Sequence, residues 1–171
     1  PMTCFRVLLF IKSICDGSPF TTSLEFSPIL VRNILIWVSE AFWASSNIAK
    51  EFFKSLDLDW VTIVDITITG SLANYTWSKY SDIDLHIIID YKEVDENQEL
   101  VQNYLRRASN LWNKNHDIFI KGFEVEIYVQ DSNEVHFSGG VYSIKNDTWI
   151  EKPSREDPQI DFENVLNTWK A

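Results

Sequence analysis

Two strand-forming runs, joined by a polar segment that opens on Gly-Ser and closes on Asp-x-Asp, constrain this chain more than any other feature. The first run reads Val61-Thr62-Ile63-Val64-Asp65-Ile66-Thr67-Ile68-Thr69, and Gly70-Ser71 follows it directly. The second opens at Asp82-Ile83-Asp84 and continues Leu85-His86-Ile87-Ile88-Ile89-Asp90. β-Branched side chains at this density favour extended backbone. Successive side chains on a strand face opposite ways, so Asp82 and Asp84 share one face, with Cα atoms about 6.6 Å apart. Ile83, Leu85, Ile87 and Ile89 share the other face and require an apolar cover.

Two carboxylates on one face repel each other unless a cation lies between them. Hard oxygen ligands suit Mg²⁺ or Mn²⁺. Such a pair can bridge two ions about 3.5–4 Å apart, the arrangement used for in-line displacement at phosphorus. Gly70 permits a tight turn and a close approach of backbone to a ligand. Ser71 adds a hydroxyl and an N–H for phosphate oxygens. A short helix starting near Leu72 would point its N-terminus at the same anion. Read singly, each element has an ordinary explanation: a solvated Asp-x-Asp turn, a plain Gly-Ser turn. Their order and spacing along the chain raise the functional reading above these.

A further strand pattern, Gly122-Phe123-Glu124-Val125-Glu126-Ile127-Tyr128-Val129-Gln130, places Glu124 and Glu126 on one face. Gly70-Ser71, a ten-residue spacer and Asp82-Ile83-Asp84 within apolar residues resemble the signature of the DNA polymerase beta-like nucleotidyltransferase superfamily. The resemblance covers about residues 60 to 130. It implies a third carboxylate on a later strand. Glu126, in mid-strand before Ile127-Tyr128-Val129, is the first choice, and Glu124 is the second. It also implies a mixed α/β fold, a small twisted sheet flanked by helices.

The activity implied is metal-dependent transfer of a nucleoside monophosphate from a nucleoside triphosphate, ATP by default, to a hydroxyl acceptor, with release of pyrophosphate. Gly70 and Ser71 would bind the nucleotide. Asp82, Asp84 and Glu126 would be the catalytic and metal-binding residues, with Mg²⁺ or Mn²⁺ as cofactor. The acceptor is a small molecule or a protein side chain. The alternative is a non-catalytic nucleotide-binding or antitoxin-like interaction module on the same fold.

Lys and Arg number 15 against 25 Asp and Glu, for a net charge of −10. That balance argues against holding a long polyanion, because phosphate neutralisation needs cationic side chains. A single nucleotide, met by metal and backbone donors, is compatible with it. Two cysteines, Cys4 and Cys15, make neither a disulfide framework nor a metal cluster. The apolar run Phe5-Arg6-Val7-Leu8-Leu9-Phe10-Ile11 is too short to span a bilayer and lacks a cleavage site, so it reads as a strand or buried segment. A cytoplasmic protein is the expectation. No sequence feature specifies an oligomeric state.

Around the core, Ser27-Pro28 is an N-cap with proline at the first helical position. Apolar residues then keep helical spacing over 29–56, including Leu30, Ile34, Trp37, Val38, Ala41 and Phe42, with a break expected near Ser45-Ser46-Asn47. Trp37 and Trp43 are expected in the core. Residues 95–115 read as an amphipathic helix with a stripe of Leu100, Val101, Tyr104, Leu105, Ala108, Leu111 and Trp112; Arg106 and Arg107 face solvent. Gly139-Gly140 marks a turn into another strand or a wall of the acceptor pocket. His86 reads as a half-buried structural side chain, Lys79 as an exposed loop lysine. His116 and His136 lack metal-ligand spacing. One domain over 1–152 is expected, followed by a linker and short helix over 153–171 with Phe162, Val165, Leu166 and Trp169 on one face.

Overall fold

Alternation along three neighbouring strands builds a sheet with one apolar and one polar face. The computed structural model describes residues 28–153, apart from 75, 77, 79 and 136. Its elements are α1 (Pro28–Lys54), β1 (Ile63–Thr69), β2 (Ile83–Ile89), a one-turn α2 (Tyr91–Val94), α3 (Gln98–Asn115), β3 (Phe119–Ile120), β4 (Phe123–Asp131), β5 (Val141–Ser143) and β6 (Thr148–Glu151). The strands form one mixed six-stranded sheet in the order β3-β4-β2-β1-β5-β6. β1 pairs antiparallel with β2, whereas β2 and β4 run parallel. A parallel pair needs a crossover, which α2 and α3 provide. The mixed α/β fold expected from the sequence is therefore the fold observed.

Both long helices cover the same face. Phe52 and Phe53 at the end of α1, and Leu56 in the turn after it, join Val101 and Leu105 of α3 in one core cluster with Ile66, Leu85, Ile87, Ile89, Val125 and Ile127. Leu85, Ile87, Ile89 and Ile127 are fully buried. Each such side chain contributes about 1.5–3 kcal/mol by leaving water. The next residue along each strand faces the other way, and that face carries Thr67, Thr69, Asp84, His86, Glu126 and Tyr128.

Three helical expectations change. α1 is continuous through Ser45-Ser46-Asn47. The buried Ser45 hydroxyl donates to Ala41 O at 2.9 Å, so the helix satisfies it internally. Trp43 is 71% exposed, because α1 buries the row Ser45, Ala49 and Phe52, and Trp43 points away from it. The side chain of Trp37 lies outside the described ones. α3 begins at Gln98, where Asn97 caps it by accepting from Leu100 N at 3.2 Å. Its buried residues are Val101, Leu105 and Ser109; Leu100, Tyr104 and Leu111 are exposed. The apolar stripe is thus two adjacent rows, and the sheet covers one. Arg106 and Arg107 face solvent, as expected.

A side-chain contact serves the outer edge of β4. Among the described residues, β4 beyond its first residues pairs with no strand on the β3 side. There Asn113 of α3 donates from Nδ2 to Ile127 O and accepts from Ile127 N, both at 3.0 Å. A side-chain amide thus satisfies two groups of a half-open strand edge.

The Gly139-Gly140 turn leads into β5, and residues 144–147 turn into β6, where Trp149 packs edge-on against Tyr142. No helix among the described residues is long and apolar enough to cross a membrane. Cys4, Cys15, the run at 5–11 and the helix expected near the C-terminus lie outside the described residues.

Candidate active site

Strand register brings the acidic residues together. Asp84 pairs with Thr69 across the antiparallel ladder and with Glu126 across the parallel one. Asp82 sits just before β2 begins at Ile83. One carboxylate oxygen from each of Asp82, Asp84 and Glu126 lies within 4.8 Å of the others. All three residues are half-buried. Glu124 shares the strand face of Glu126 but is exposed opposite Phe119 and stays out of the cluster.

This concentration of charge has an electrostatic cost. The Asp84 carboxyl is pushed up from its ordinary 3.8 to about 6, first by burial, then by the negative fields of Asp82 and Glu126. Beside it, the Tyr128 hydroxyl donates to Glu126 Oε2. The Tyr128 phenol is also pushed up, by burial first and then by its bond to Glu126 and the carboxylates around it. The Tyr128 ring lies against His86, its register partner, with centroids 5.2 Å apart. His86 is half-buried, as expected.

The Gly-Ser turn meets the cluster at Asp84. Gly70 has φ +69°, and a Cβ there would sit 1.6 Å from Asp84 Oδ2. Glycine is therefore required twice, by a left-handed backbone and by the carboxylate that fills the place of a side chain. The Ser71 hydroxyl donates to Ser81 Oγ at 2.8 Å, and Ser81 Oγ also accepts from Ser78 N at 2.8 Å. This pair ties the Gly-Ser turn to the residue immediately before Asp82.

Residues 71–74 form a turn and not the start of a helix. Asn74 Nδ2 donates to Gly70 O at 2.6 Å, folding the chain back on itself. The expected helix N-terminus at Leu72 is thus replaced by an asparagine-closed turn. Behind it, a Cβ on Gly140 would lie 1.9 Å from Ala73 O, and Ser138 Oγ is 3.3 Å from Asn74 Nδ2. The Gly139-Gly140 segment therefore backs the turn at close range. Lys79 and His136 lie outside the described residues. His116 is exposed at the end of α3, stacked on Trp112.

Sequence reasoning missed Ser81, Asn74 and Tyr128. Tyr128 was within reach, since it lies two residues from Glu126 on the same strand face. The Ser71–Ser81 and Asn74–Gly70 bonds depend on how the connecting segment folds, which no periodicity encodes.

With this geometry in hand, comparison with known proteins gives a class through one family model. A family model described as "Nucleotidyltransferase domain" matches residues 47–148, more than half of the chain. The chain belongs to the nucleotidyltransferase domain family, a family of transferases. Among solved structures, a STING-associated CdnE c-di-GMP synthase from Capnocytophaga granulosa is similar at 16% identity, over 98% of this chain and 63% of that one, with a TM-score of 0.27. This chain therefore spans less than two thirds of that protein's length. A search of curated proteins finds no significant match.

Proposed function

We propose that the chain moves a nucleoside monophosphate from a nucleoside triphosphate, with ATP as the working donor, to a hydroxyl on a small molecule or protein, releasing pyrophosphate. One observation carries the reading: three carboxylates from the start of β2 and the middle of β4 meet within 4.8 Å, beside a Gly-Ser turn. A cluster held this close, with Asp84 raised to about 6, has the donor set and the excess negative charge that hard divalent cations satisfy. Asp82, Asp84 and Glu126 would hold Mg²⁺ or Mn²⁺, which supplies charge neutralisation at the phosphates.

The chain's own residues do the positioning. Gly70 leaves Asp84 Oδ2 room at the mouth of the turn. Ser71, whose hydroxyl donates to Ser81 Oγ and so fixes the turn, offers its backbone N–H to phosphate oxygens. The acceptor oxygen forms its bond to the α-phosphorus as the bond from that phosphorus to the bridging oxygen breaks, and pyrophosphate leaves. Glu126 completes the acceptor-side metal site, the acceptor's proton then leaving to water, or takes that proton on a carboxylate oxygen itself. Rate enhancement on this account comes from alignment and preorganised charge. The acidic balance of the chain favours a neutral or cationic acceptor over RNA.

The test is transfer from α-labelled nucleoside triphosphates, each with Mg²⁺ or Mn²⁺, to candidate hydroxyl acceptors, with pyrophosphate release as the second readout. Asp84→Asn is expected to remain folded and to lose at least about 1,000-fold in turnover, equivalent to about 4 kcal/mol. Full turnover in that variant would remove the assignment.

A further inference from the structure

We propose that Tyr128 is a positioning residue: its hydroxyl fixes the orientation of the Glu126 carboxylate and so sets the affinity of the three-carboxylate cluster for a divalent cation. The inference rests on the metal-binding reading above and adds to it a residue that no part of that reading assigns.

The geometry is specific. Tyr128 lies two residues beyond Glu126 on β4, so strand alternation puts both side chains on the cluster's face. Its hydroxyl donates to Glu126 Oε2. A glutamate has one more rotatable bond than an aspartate, so Glu126 has more freedom to lose than Asp82 or Asp84 when it becomes a ligand. A carboxylate has two oxygens and about four lone pairs. One hydrogen bond stops its rotation and leaves the other oxygen, and the remaining lone pair of Oε2, for a cation. Partners of this kind, behind metal ligands, change metal affinity by about 10–100-fold when removed.

Tyr128 is itself held. Its ring rests against His86 on β2 with centroids 5.2 Å apart at 31°. The backbone between Glu126 and Tyr128 is gripped from α3, since Asn113 bonds both the N–H and the C=O of Ile127. Side chain and backbone are thus fixed from two directions. Glu124, on the same face but without such a partner among the described contacts, stays exposed and outside the cluster.

The experiment is Mn²⁺ binding to nucleotide-free full-length chain, followed by electron paramagnetic resonance, for wild type, Tyr128→Phe, Glu126→Gln and the double variant. Tyr128→Phe is expected to bind Mn²⁺ about 10-fold more weakly. The double variant should bind no more weakly than Glu126→Gln alone, because Tyr128 acts through Glu126. Turnover of Tyr128→Phe should return toward the wild-type maximum as Mn²⁺ is raised, a change in metal requirement that a merely structural defect would not produce. Unchanged Mn²⁺ affinity in a folded Tyr128→Phe, beside a wild type that binds, would overturn this inference alone. A wild type that binds no Mn²⁺ at millimolar concentration would overturn it together with the metal reading. Should Tyr128→Phe not fold, the ultraviolet difference spectrum on adding Mn²⁺ decides: a phenol signal in wild type that vanishes in Glu126→Gln supports the inference, and its absence from wild type overturns it.

Discussion

Asp84 and Leu85 are neighbours in β2, yet they obey opposite rules. Leu85 is fully buried beneath α1 and α3, in a cluster of aliphatic and aromatic side chains whose only task is to exclude water. Asp84 faces the other side, crowded by two further carboxylates and pushed toward protonation at about 6. The helix-covered face stores the stability of the sheet. The other face draws on it, holding three carboxylates together, a crowding that protonation of Asp84 or a bound cation relieves. A sheet of period two allows this division at single-residue resolution where Asp84 adjoins Leu85; farther along the same face Thr67 and Ile88 are buried.

Substitutions on the two faces should therefore differ in kind. Leu85→Ala is expected to cost about 2–5 kcal/mol of stability by leaving a cavity under the helices, read by urea unfolding. Metal affinity of the protein that remains folded should change little. Equal loss of metal binding would mean that the faces are not separable.

Gly70→Ala tests the seam between them. The new methyl would collide with Asp84 Oδ2 and force a left-handed backbone on alanine, at a cost of about 1–3 kcal/mol. Displacement of Asp84 should lower turnover by about 100-fold, since small misplacements at a reacting centre have effects of that order. A variant with normal turnover would show that Asp84 can move without consequence.

The pH dependence of stability sharpens the electrostatic half of the contrast. Between pH 3.8 and about 6 the folded chain keeps a proton on Asp84 that the unfolded chain has already released. Its contribution to metal-free stability is therefore unfavourable as pH rises through that window, and fully so above it. Urea midpoints should carry this downward component in wild type and lose it in Asp84→Asn. The same variant should be more stable than wild type at neutral pH while inactive, the reverse of Leu85→Ala. The smallest effect is expected at Glu124, exposed and outside the cluster: Glu124→Gln should change stability by no more than about 0.5 kcal/mol and leave the metal requirement of turnover unchanged.

How much of this was legible in the sequence follows from the same alternation. β1 and β2 were readable because β-branched residues cluster there, and the shared face of Asp82 and Asp84 follows from period two alone. That Glu126, and not Glu124, lies beside Asp82 and Asp84 agrees with its place in mid-strand. Gly70 was singled out, but as a place for a ligand to approach; its nearer reason is the Asp84 carboxylate, which only the register of β1 against β2 reveals. The continuity of α1 was hidden because Ser45-Ser46-Asn47 resembles a break until the Ser45 hydroxyl is seen to bond Ala41 O. Trp43 and Leu111 were misplaced because apolar residues flanking a helix stripe look like part of it. The Asn113 clamp on Ile127 joins residues whose encounter depends on the whole crossover, and nothing local signals it.

The most direct test of the central claim is the thermal stability of wild type and Asp84→Asn with each nucleoside triphosphate, with and without Mg²⁺ or Mn²⁺. A ligand that binds only the folded state stabilises it by about 2.7 kcal/mol at a hundredfold excess over its Kd. The account predicts a rise of several degrees in Tm with one nucleotide and metal together, neither alone giving the full effect, and its loss in Asp84→Asn. No rise with any nucleotide and either metal, or an equal rise in the variant, would contradict it.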